Sequence, residues 1–492
     1  LTANRDRAKV TPSHWKLAGG CSTFGLLFAR ARAREHLLPG KAEKPEIRFA
    51  SAPLLLNVKI VIAPDSFKGS LSAAQVACAV AQGIHELHPE WQTLEVPIAD
   101  GGEGTVDAVL RLRIADCGSR NGEWGSRVAD RRSQNAKPET GGLQCARRVS
   151  VTVKSPLLTD VAADFAVLDD EETAVIEMAQ ASGLTLAPEN QRNPLLTTTF
   201  GTGELVRRAI EEGCSRIYIG IGGSATVDGG AGMAAALGVR FLDADGKEIP
   251  LGGGGLAHLK RIDLSGRIGL SGLQITALSD VTNPLLGRNG AARVFSPQKG
   301  ATREMVGILE RNLARFARII KRDLGVDVAE IPGAGAAGGL GAGILAFLNG
   351  EIKSGVATLI DLIGLREKIG GADLVITGEG KLDFQSLGGK APVGVAEAAS
   401  ELGVPVIAIC GSLGEGAAEV AGDHFMAALS LAEIAGSQEQ AMLRPRETLK
   451  RAVALFLTMF PPPWAKASPL ARRQLFGRTN NLTASSHPSR RT

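Results

Sequence analysis

"IYIGIGGSATVDGGAGM", residues 217–233, decides how this chain is read. An apolar alternation runs into glycines and then into "AGMAAALG", which has the composition of a helix. Strand, glycine turn and helix form the repeating unit of α/β folds, where ligands sit beyond the carboxyl ends of the strands. The spacing Gly220-x-Gly222-x-x-Ala225 also fits the dinucleotide fingerprint, with Asp243 closing the next apolar run about 20 residues later. Two chemistries therefore compete for this loop: a nicotinamide dinucleotide or a different phosphate.

The same theme recurs on both sides. "VKIVIAP" (58–64) is a short β-branched run, and "SAAQVACAVAQGIHEL" (72–87) has helical spacing with Ser70 or Ser72 as N-cap. "QITALSD", "ADLVITGEG" and "VPVIAICGS" are further hydrophobic runs ending in Gly, Asp, Ser or Glu. Such alternation implies an α/β fold with a mostly parallel sheet and helices on both faces.

The strand ends share one vocabulary. "APDSFKGS" carries Asp65, Ser66 and Lys68, and "IADGGEGT" carries Asp100, Gly101, Gly102, Glu103 and Thr105. "GGSATVDGG" holds Gly222, Gly223, Ser224, Asp228, Gly229 and Gly230. "SDVTNP" adds Asp280 and Asn283, "SPQKG" adds Lys299, and "TGEGKLDFQSLGGK" adds Glu379, Lys381, Asp383 and Lys390. Glycines let backbone N–H groups approach an anion, lysines neutralise phosphate, and acids hold Mg²⁺ or take a hydroxyl proton. With no histidine in these loops, the set reads as phosphoryl transfer rather than Ser-His-Asp hydrolysis, and no GxxxxGK[ST] loop is present. Some features have simpler readings. Asp65 and Ser66 could cap a helix, "PGAGAAGGLGAGILAFL" (332–348) reads as a tightly packed helix start, and Asp245-Gly246 reads as a hairpin turn.

Composition narrows the class. A chain of 492 residues exceeds one ordinary core, and 44% hydrophobic with 4% aromatic residues suits an α/β enzyme. No apolar run approaches the ~20 residues of a spanning helix, so no membrane role is expected. The formal charge of +4 conceals three basic segments. Residues 1–57 hold ten Lys/Arg against four acids, 111–148 hold nine against four, and 465–492 hold six against none. The remainder is acidic, which argues against nucleic-acid partners. Six cysteines without a CxxC pair read as small apolar fillers in a reducing compartment. Residues 1–34 are Arg-rich and acid-poor, a weak match to an organelle-targeting segment; otherwise a cytoplasmic location is expected.

Taken together, "KIVIAPDSFKGSLSA", "ADGGEGTVDA", "VIEMAQASGL", "TTTFGTGEL", "IGIGGSATVDGGAGM", "DVTNPLLG", "SPQKGA", "PGAGAAGGLGAG" and "ADLVITGEGKLDFQSLGGKAPVGVA" resemble the class I glycerate kinases, in family order from about Val58 to Gly411. The resemblance implies two different α/β domains, one Rossmann- or flavodoxin-like, with the active site in the cleft between them. The expected layout is an extension at 1–57, a discontinuous first domain at 58–98 and 285–460, and a second domain at 99–284. An unstructured insert at 111–148 and a basic tail at 461–492 complete it.

The implied reaction moves the γ-phosphoryl of ATP to D-glycerate with Mg²⁺, giving 2-phosphoglycerate, with 3-phosphoglycerate as the other hydroxyl's product. Small molecules are the expected partners, with a homodimer as the working assembly. Lys68 and Lys299 are expected on phosphate or substrate carboxylate, Asp228 and Asp280 as base and metal ligand in either order, and Asp280 and Asp383 as metal candidates. Asp65, Ser66, Asp100, Gly101, Gly102, Glu103, Gly222, Gly223, Ser224, Gly229, Gly230, Asn283, Glu379 and Lys390 complete the expected substrate and nucleotide contacts. The chain departs from the family pattern at Val227 (usually Asn), Ser296 (usually Gly) and Phe384 (usually small and polar). A catalytically impaired nucleotide-binding relative and an NAD(P)-dependent oxidoreductase are the alternative readings.

Overall fold

The computed structural model describes residues 58–118, 146–384, 386 and 390–460, with 112–118 as backbone. The extension 1–57, most of the expected insert and the tail 461–492 lie outside the described residues. The strands in chain order are β1 (Lys59–Ile62), β2 (Gln92–Glu95), β3 (Arg147–Lys154), β4 (Asp160–Val167), β5 (Thr173–Glu177), β6 (Arg216–Gly220), β7 (Arg240–Leu242) and β8 (Arg261–Asp263). There follow β9 (Gln274–Leu278), β10 (Glu351–Lys353), β11 (Leu374–Thr377), β12 (Lys381–Leu382), β13 (Val406–Cys410), β14 (Ser412–Leu413) and β15 (Ala427–Ser430).

Five strands form an all-parallel sheet in the order β15–β13–β11–β1–β2. Counted along the chain this is the order 2-1-3-4-5 of flavodoxin-like sheets, whose switch point lies between the first and third strands, here β1 and β11. Parallel neighbours need crossovers. The helices Ala73–Leu87, Ala391–Glu401 and Ala417–His424 supply three of them. Ser72 starts the first: its Oγ accepts from Gln75 N while the Gln75 side chain takes the Ser72 N–H, a reciprocal cap worth about 1 kcal/mol. On this helix Gly83 permits close packing, because a Cβ there would stand 3.1 Å from Lys450 Cα of the helix Pro445–Met459.

A second sheet runs β10–β9–β6–β5–β4–β3. Its β5, β6, β9 and β10 are parallel, and β3, β4 and β5 form an antiparallel meander. All five residues of β5, "TAVIE", are buried, as a strand covered on both faces requires. After β2 the chain crosses to this sheet, where the helix Thr105–Gly118 packs on β4 and β5. The strand expected to resume at about Val149 begins at Arg147, and residues 111–118 of the expected insert are helical.

The boundary expected at 285 is corrected. The chain stays with the second sheet through β10, which pairs with β9, and its next strand in the first sheet is β11. The helices Arg303–Leu324 and Ala336–Phe347 bury Phe316 and Phe347 against Phe241, with ring centroids 5.4–5.9 Å apart. Helical periodicity shows that a face is buried but not which core receives it. Among the described residues no helix is long and apolar enough to cross a membrane. Cys78, Cys214 and Cys410 are unpaired, and burial pushes the Cys410 thiol up to about 12, consistent with a packing role.

Candidate active site at the carboxyl ends of two sheets

The ladder between β1 and β11 continues past both strands: Ala63 N donates to Ile376 O and Asp65 N to Gly378 O. Asp65 and Glu379 are thereby delivered at the switch point of the first sheet. Asp65 is 6% exposed, and its carboxyl is pushed up to about 7 by burial, with the Asp100 charge adding to the rise. Ser66 N donates to Asp65 Oδ1, and the exposed Lys68 reaches Asp100 Oδ2 with its Nζ at 3.9 Å.

The loop Asp100–Gly104 joins this point to the second sheet. Gly222 N donates to Gly101 O at 3.3 Å, and Gly102 N to Asp100 Oδ1 at 3.1 Å. The approach is close: a Cβ on Gly222 would lie 2.7 Å from Gly102 Cα. Asp280, just beyond β9, accepts from Ser354 Oγ (2.7 Å), Gly355 N (3.0 Å) and Val356 N (3.2 Å), and so caps the helix Gly355–Leu362. Burial pushes its carboxyl up to about 6, and again the Asp100 charge contributes. Asp65, Asp100 and Asp280 thus form one electrostatic cluster drawn from three loops.

Glu379 accepts from Ser386 Oγ at 2.6 Å and sits 3.3 Å from Lys390 Nζ. Burial raises its pKa, opposed by Ser386 and Lys390. Asp383 lies between Lys381 (3.1 Å) and Lys390 (3.8 Å). A Cβ on Gly380 would lie 3.5 Å from Lys68 N, which places this loop beside the Asp65 turn.

A second group lies beneath the 220–230 loop. Lys299 is 2% exposed and donates from Nζ to Ser224 Oγ and Thr226 O, both at 2.7 Å. Burial lowers its pKa to about 7, against the pull of Asp228. Asp228 is fully buried and accepts from Thr199 N (2.8 Å), Thr199 Oγ1 (2.9 Å), Thr198 Oγ1, Gly230 N and Gly232 N. Both of its oxygens are engaged, so Asp228, expected as base or metal ligand, stands in this structure as a knot holding the loop. Gly229 (φ 66°) and Gly230 (φ 77°) are consecutive left-handed residues that turn the chain around this knot.

The remaining expected residues divide. Ser224 binds Lys299, and Gly223 turns the loop, while Glu103 is exposed without a described partner in the cluster. Asn283 donates from Nδ2 to Asn289 O at 2.8 Å and so holds its own turn. Val227 is fully buried in an apolar cluster with Leu309, Leu313 and Phe316, so packing accounts for it. The glycines of 332–348 serve packing as expected: a Cβ on Gly338 would lie 2.0 Å from Thr226 O.

Glu177, Thr199, Ser354 and Ser386 escaped the sequence reading. Glu177 was within its reach, because "TAVIEM" is another hydrophobic run ending in an acid. It is 2% exposed and pushed up to about 7 by burial.

The dinucleotide fingerprint is not supported by the geometry. The helix that should open within it begins only at Ala231, after a loop tied by Ser224 and Asp228. Asp243 sits in the turn after β7, where its N donates to Lys247 O, in a two-stranded pair separate from both main sheets. That turn contains Asp245-Gly246, with Gly246 at φ 77°. A cavity of about 420 Å³ between Phe200, Ala235, Phe241 and Leu256 lies behind the Asp228 loop, and none of the strand-end acids lines it.

The family model described as "Glycerate kinase family" matches residues 60–128 and 140–460. Glycerate 2-kinase of Escherichia coli (strain K12) is 45% identical over 396 residues, covering 80% of this chain and 96% of that protein. The glycerate kinase of Halalkalibacterium halodurans is 46% identical over 396 residues, with the same coverage of both chains. A crystal structure from Salmonella typhimurium LT2, provisionally assigned as glycerate kinase 2, aligns with a TM-score of 0.64 at 41% identity. It covers 82% of this chain and 99% of that one.

Proposed function

Since this chain belongs to the glycerate kinase family, we propose that it transfers the γ-phosphoryl group of ATP to the C2 hydroxyl of D-glycerate, giving ADP and 2-phosphoglycerate. The observation that carries the placement of this reaction is the convergence of Asp65, Asp100 and Asp280, with Lys68 and the Glu379–Lys390 pair, at the carboxyl ends of both sheets. Phosphoryl transfer asks the protein for in-line placement and charge neutralisation more than for covalent chemistry.

In this reading the phosphates lie against the Asp65–Lys68 and Glu379–Lys390 turns, where Lys68 and Lys390 face their negative charge. The glycerate hydroxyl oxygen attacks the γ-phosphorus and the bond to the β-phosphate oxygen breaks. The hydroxyl proton passes to a carboxylate. Asp65, held near 7, is matched to that task at neutral pH. Lys299 and Asp228 hold the 220–230 loop so that its glycine backbone faces the substrate.

The residues also fit Mg²⁺. Asp100 and Asp280 are hard oxygen donors whose charges repel each other, with the exposed Lys68 3.9 Å from Asp100. Among the described residues no three His, Cys, Asp or Glu side chains form a complete metal cage. That suits an ion held by one or two carboxylates and shared with substrate phosphates. Mg²⁺ supplies charge neutralisation along the phosphates when bound. Asp383, already set between two lysines, anchors them instead.

A coupled ADP-release assay on the full chain with ATP, D-glycerate and Mg²⁺ tests the proposal. Glycerate-dependent turnover is expected, with 2-phosphoglycerate identified by phosphorus NMR. A folded chain without such turnover would overturn the reading, and 3-phosphoglycerate as product would overturn the choice of hydroxyl.

A further inference from the structure

We infer that Glu177 is a positioning residue for the reaction: from the end of β5 it clamps the Asp100–Gly104 loop to the second sheet and so sets the place of the Asp100 carboxylate. The inference rests on the reading of that loop as part of the active site.

Glu177 is the last residue of β5, and its Oε1 accepts from Val106 N at 2.6 Å. The Gly104 backbone and the Gln180 side chain also favour its charged form, against the larger effect of burial. Val106 stands in the first turn of the helix Thr105–Gly118, where N–H groups have no partner within the helix. Such donors are usually satisfied by a side chain of the preceding loop. Here the acceptor comes from a strand 71 residues away in the chain, so the contact ties a loop to a sheet as well as finishing a helix.

The register makes the clamp local to the site. Glu177 pairs with Gly220 across β5 and β6. Two residues beyond Gly220, Gly222 N holds Gly101 O. The loop is thus gripped at two adjacent strand ends, and its interior is rigid: Thr105 Oγ1 donates to Gly102 O at 2.8 Å, and Gly102 N to Asp100 Oδ1. Rigid connection runs from the Glu177 carboxyl to the Asp100 carboxylate within seven residues of chain.

A buried acid is a costly way to cap a helix if capping were all. Asp107, on the same helix, adds repulsion to Glu177. Arg148 of β3 draws the Asp107 carboxylate outward at 2.6 Å and also binds Asp164 of β4 at 2.6 Å. The charged groups around Glu177 are therefore arranged to leave its oxygens to the loop.

The test measures kcat and the KM for ATP and for D-glycerate in Glu177→Ala, Glu177→Gln and Glu177→Asp, with amide hydrogen exchange across residues 100–106. Positioning predicts a fall in kcat of about 10²-fold for the Ala variant, because displacement by about 1 Å costs that much. The KM for ATP should rise by less than the fall in kcat, since Asp100 is one of several groups that meet the phosphates in this reading. The Gln variant keeps one acceptor oxygen and should recover kcat to within about tenfold of the parent, while Asp, one methylene shorter, should resemble Ala. Faster exchange at Val106 should accompany the loss. Should the Ala variant not fold, the Gln and Asp variants decide. Values of kcat within twofold of the parent in every folded variant would overturn the inference and leave the function standing. A folded parent chain without glycerate-dependent turnover would instead overturn the function on which it rests.

Discussion

Lys299 donates to Ser224 Oγ at 2.7 Å from a position 2% exposed, so the loop that carries Ser224 and Asp228 is held from below by a buried amine. The amine also donates to Thr226 O, at 2.7 Å. Two hydrogen bonds to neighbouring residues fix a loop rich in glycine that would otherwise have many conformations. Burying the amine costs stability, so its value lies in loop geometry.

Lys299→Met tests this trade. The thioether chain fills similar volume without the charge, but it leaves Thr226 O and Ser224 Oγ without their donor and the buried Asp228 without a nearby cation. The melting temperature at pH 7 should fall by less than about 8 °C, because relief of the amine's burial offsets part of this loss. Glycerate-dependent kcat should fall about 10²-fold as the loop loses its support. A melting temperature lowered by more than about 8 °C with kcat preserved would show that Lys299 serves the fold alone.

The ligand-free chain should be least stable near neutral pH. Burial raises Asp65 and Glu177 to about 7 and Asp280 to about 6, so the native state binds protons that the unfolded chain has released above its ordinary carboxylate range. Their stabilisation is complete below that range and is lost as pH rises to about 7. Lys299 acts in the other window: lowered to about 7, it leaves the unfolded chain binding more protons between pH 7 and the ordinary lysine range, so stability rises there. Thermal unfolding from pH 4 to 10 should show a minimum near 7, and Lys299→Met should flatten its alkaline side. A maximum at neutrality would contradict the assignment.

Much of this was legible in the residues, and the misses have one kind of cause. The strand-end acids could be found because a buried strand must end in a turn, and "APDS", "IADGG", "ALSD" and "TGEG" place carboxylates there. What the pattern could not give was which way each carboxylate faces. Asp228 and Asp280 read alike in one dimension, yet one is enclosed by Thr199, Gly230 and Gly232 while the other stays half-buried beside Asp100. Lys299 was found as a cation, but its burial follows from the Ser224 loop folding over it. Periodicity alone does not say which sheet the chain beyond 285 joins, because pairing partners are set by tertiary contact, as β10 on β9 illustrates.

Asp280→Asn separates charge from capping. The amide oxygen can still accept from Ser354 Oγ and Gly355 N, but the NH₂ group meets the Val356 N–H, so the cap weakens by about 1 kcal/mol. Loss of one negative charge beside Asp100 offsets part of this. Stability should therefore change little, while kcat should fall at least about 10²-fold if the charge serves the phosphates. Unchanged turnover in a folded Asn variant would remove Asp280 from the reaction.

Gly222→Ala probes the meeting of the two loops. The added Cβ would lie 2.7 Å from Gly102 Cα and 3.3 Å from Gly102 N, backbone atoms that cannot rotate aside. The loops must separate, which lengthens the Gly222 N to Gly101 O bond and moves Asp100 away from Asp280. Such overpacking costs about 1–3 kcal/mol, small against a fold with two sheets, so the variant should remain folded. Its kcat should drop about 10²-fold, since the displaced carboxylate no longer meets its partners at the reacting centre. Gly269→Ala is the control: a Cβ at Gly269 meets nothing within 4 Å, and its backbone lies outside the left-handed region. If both variants lost stability equally and kept kcat, the contact between the loops would be packing without catalytic consequence.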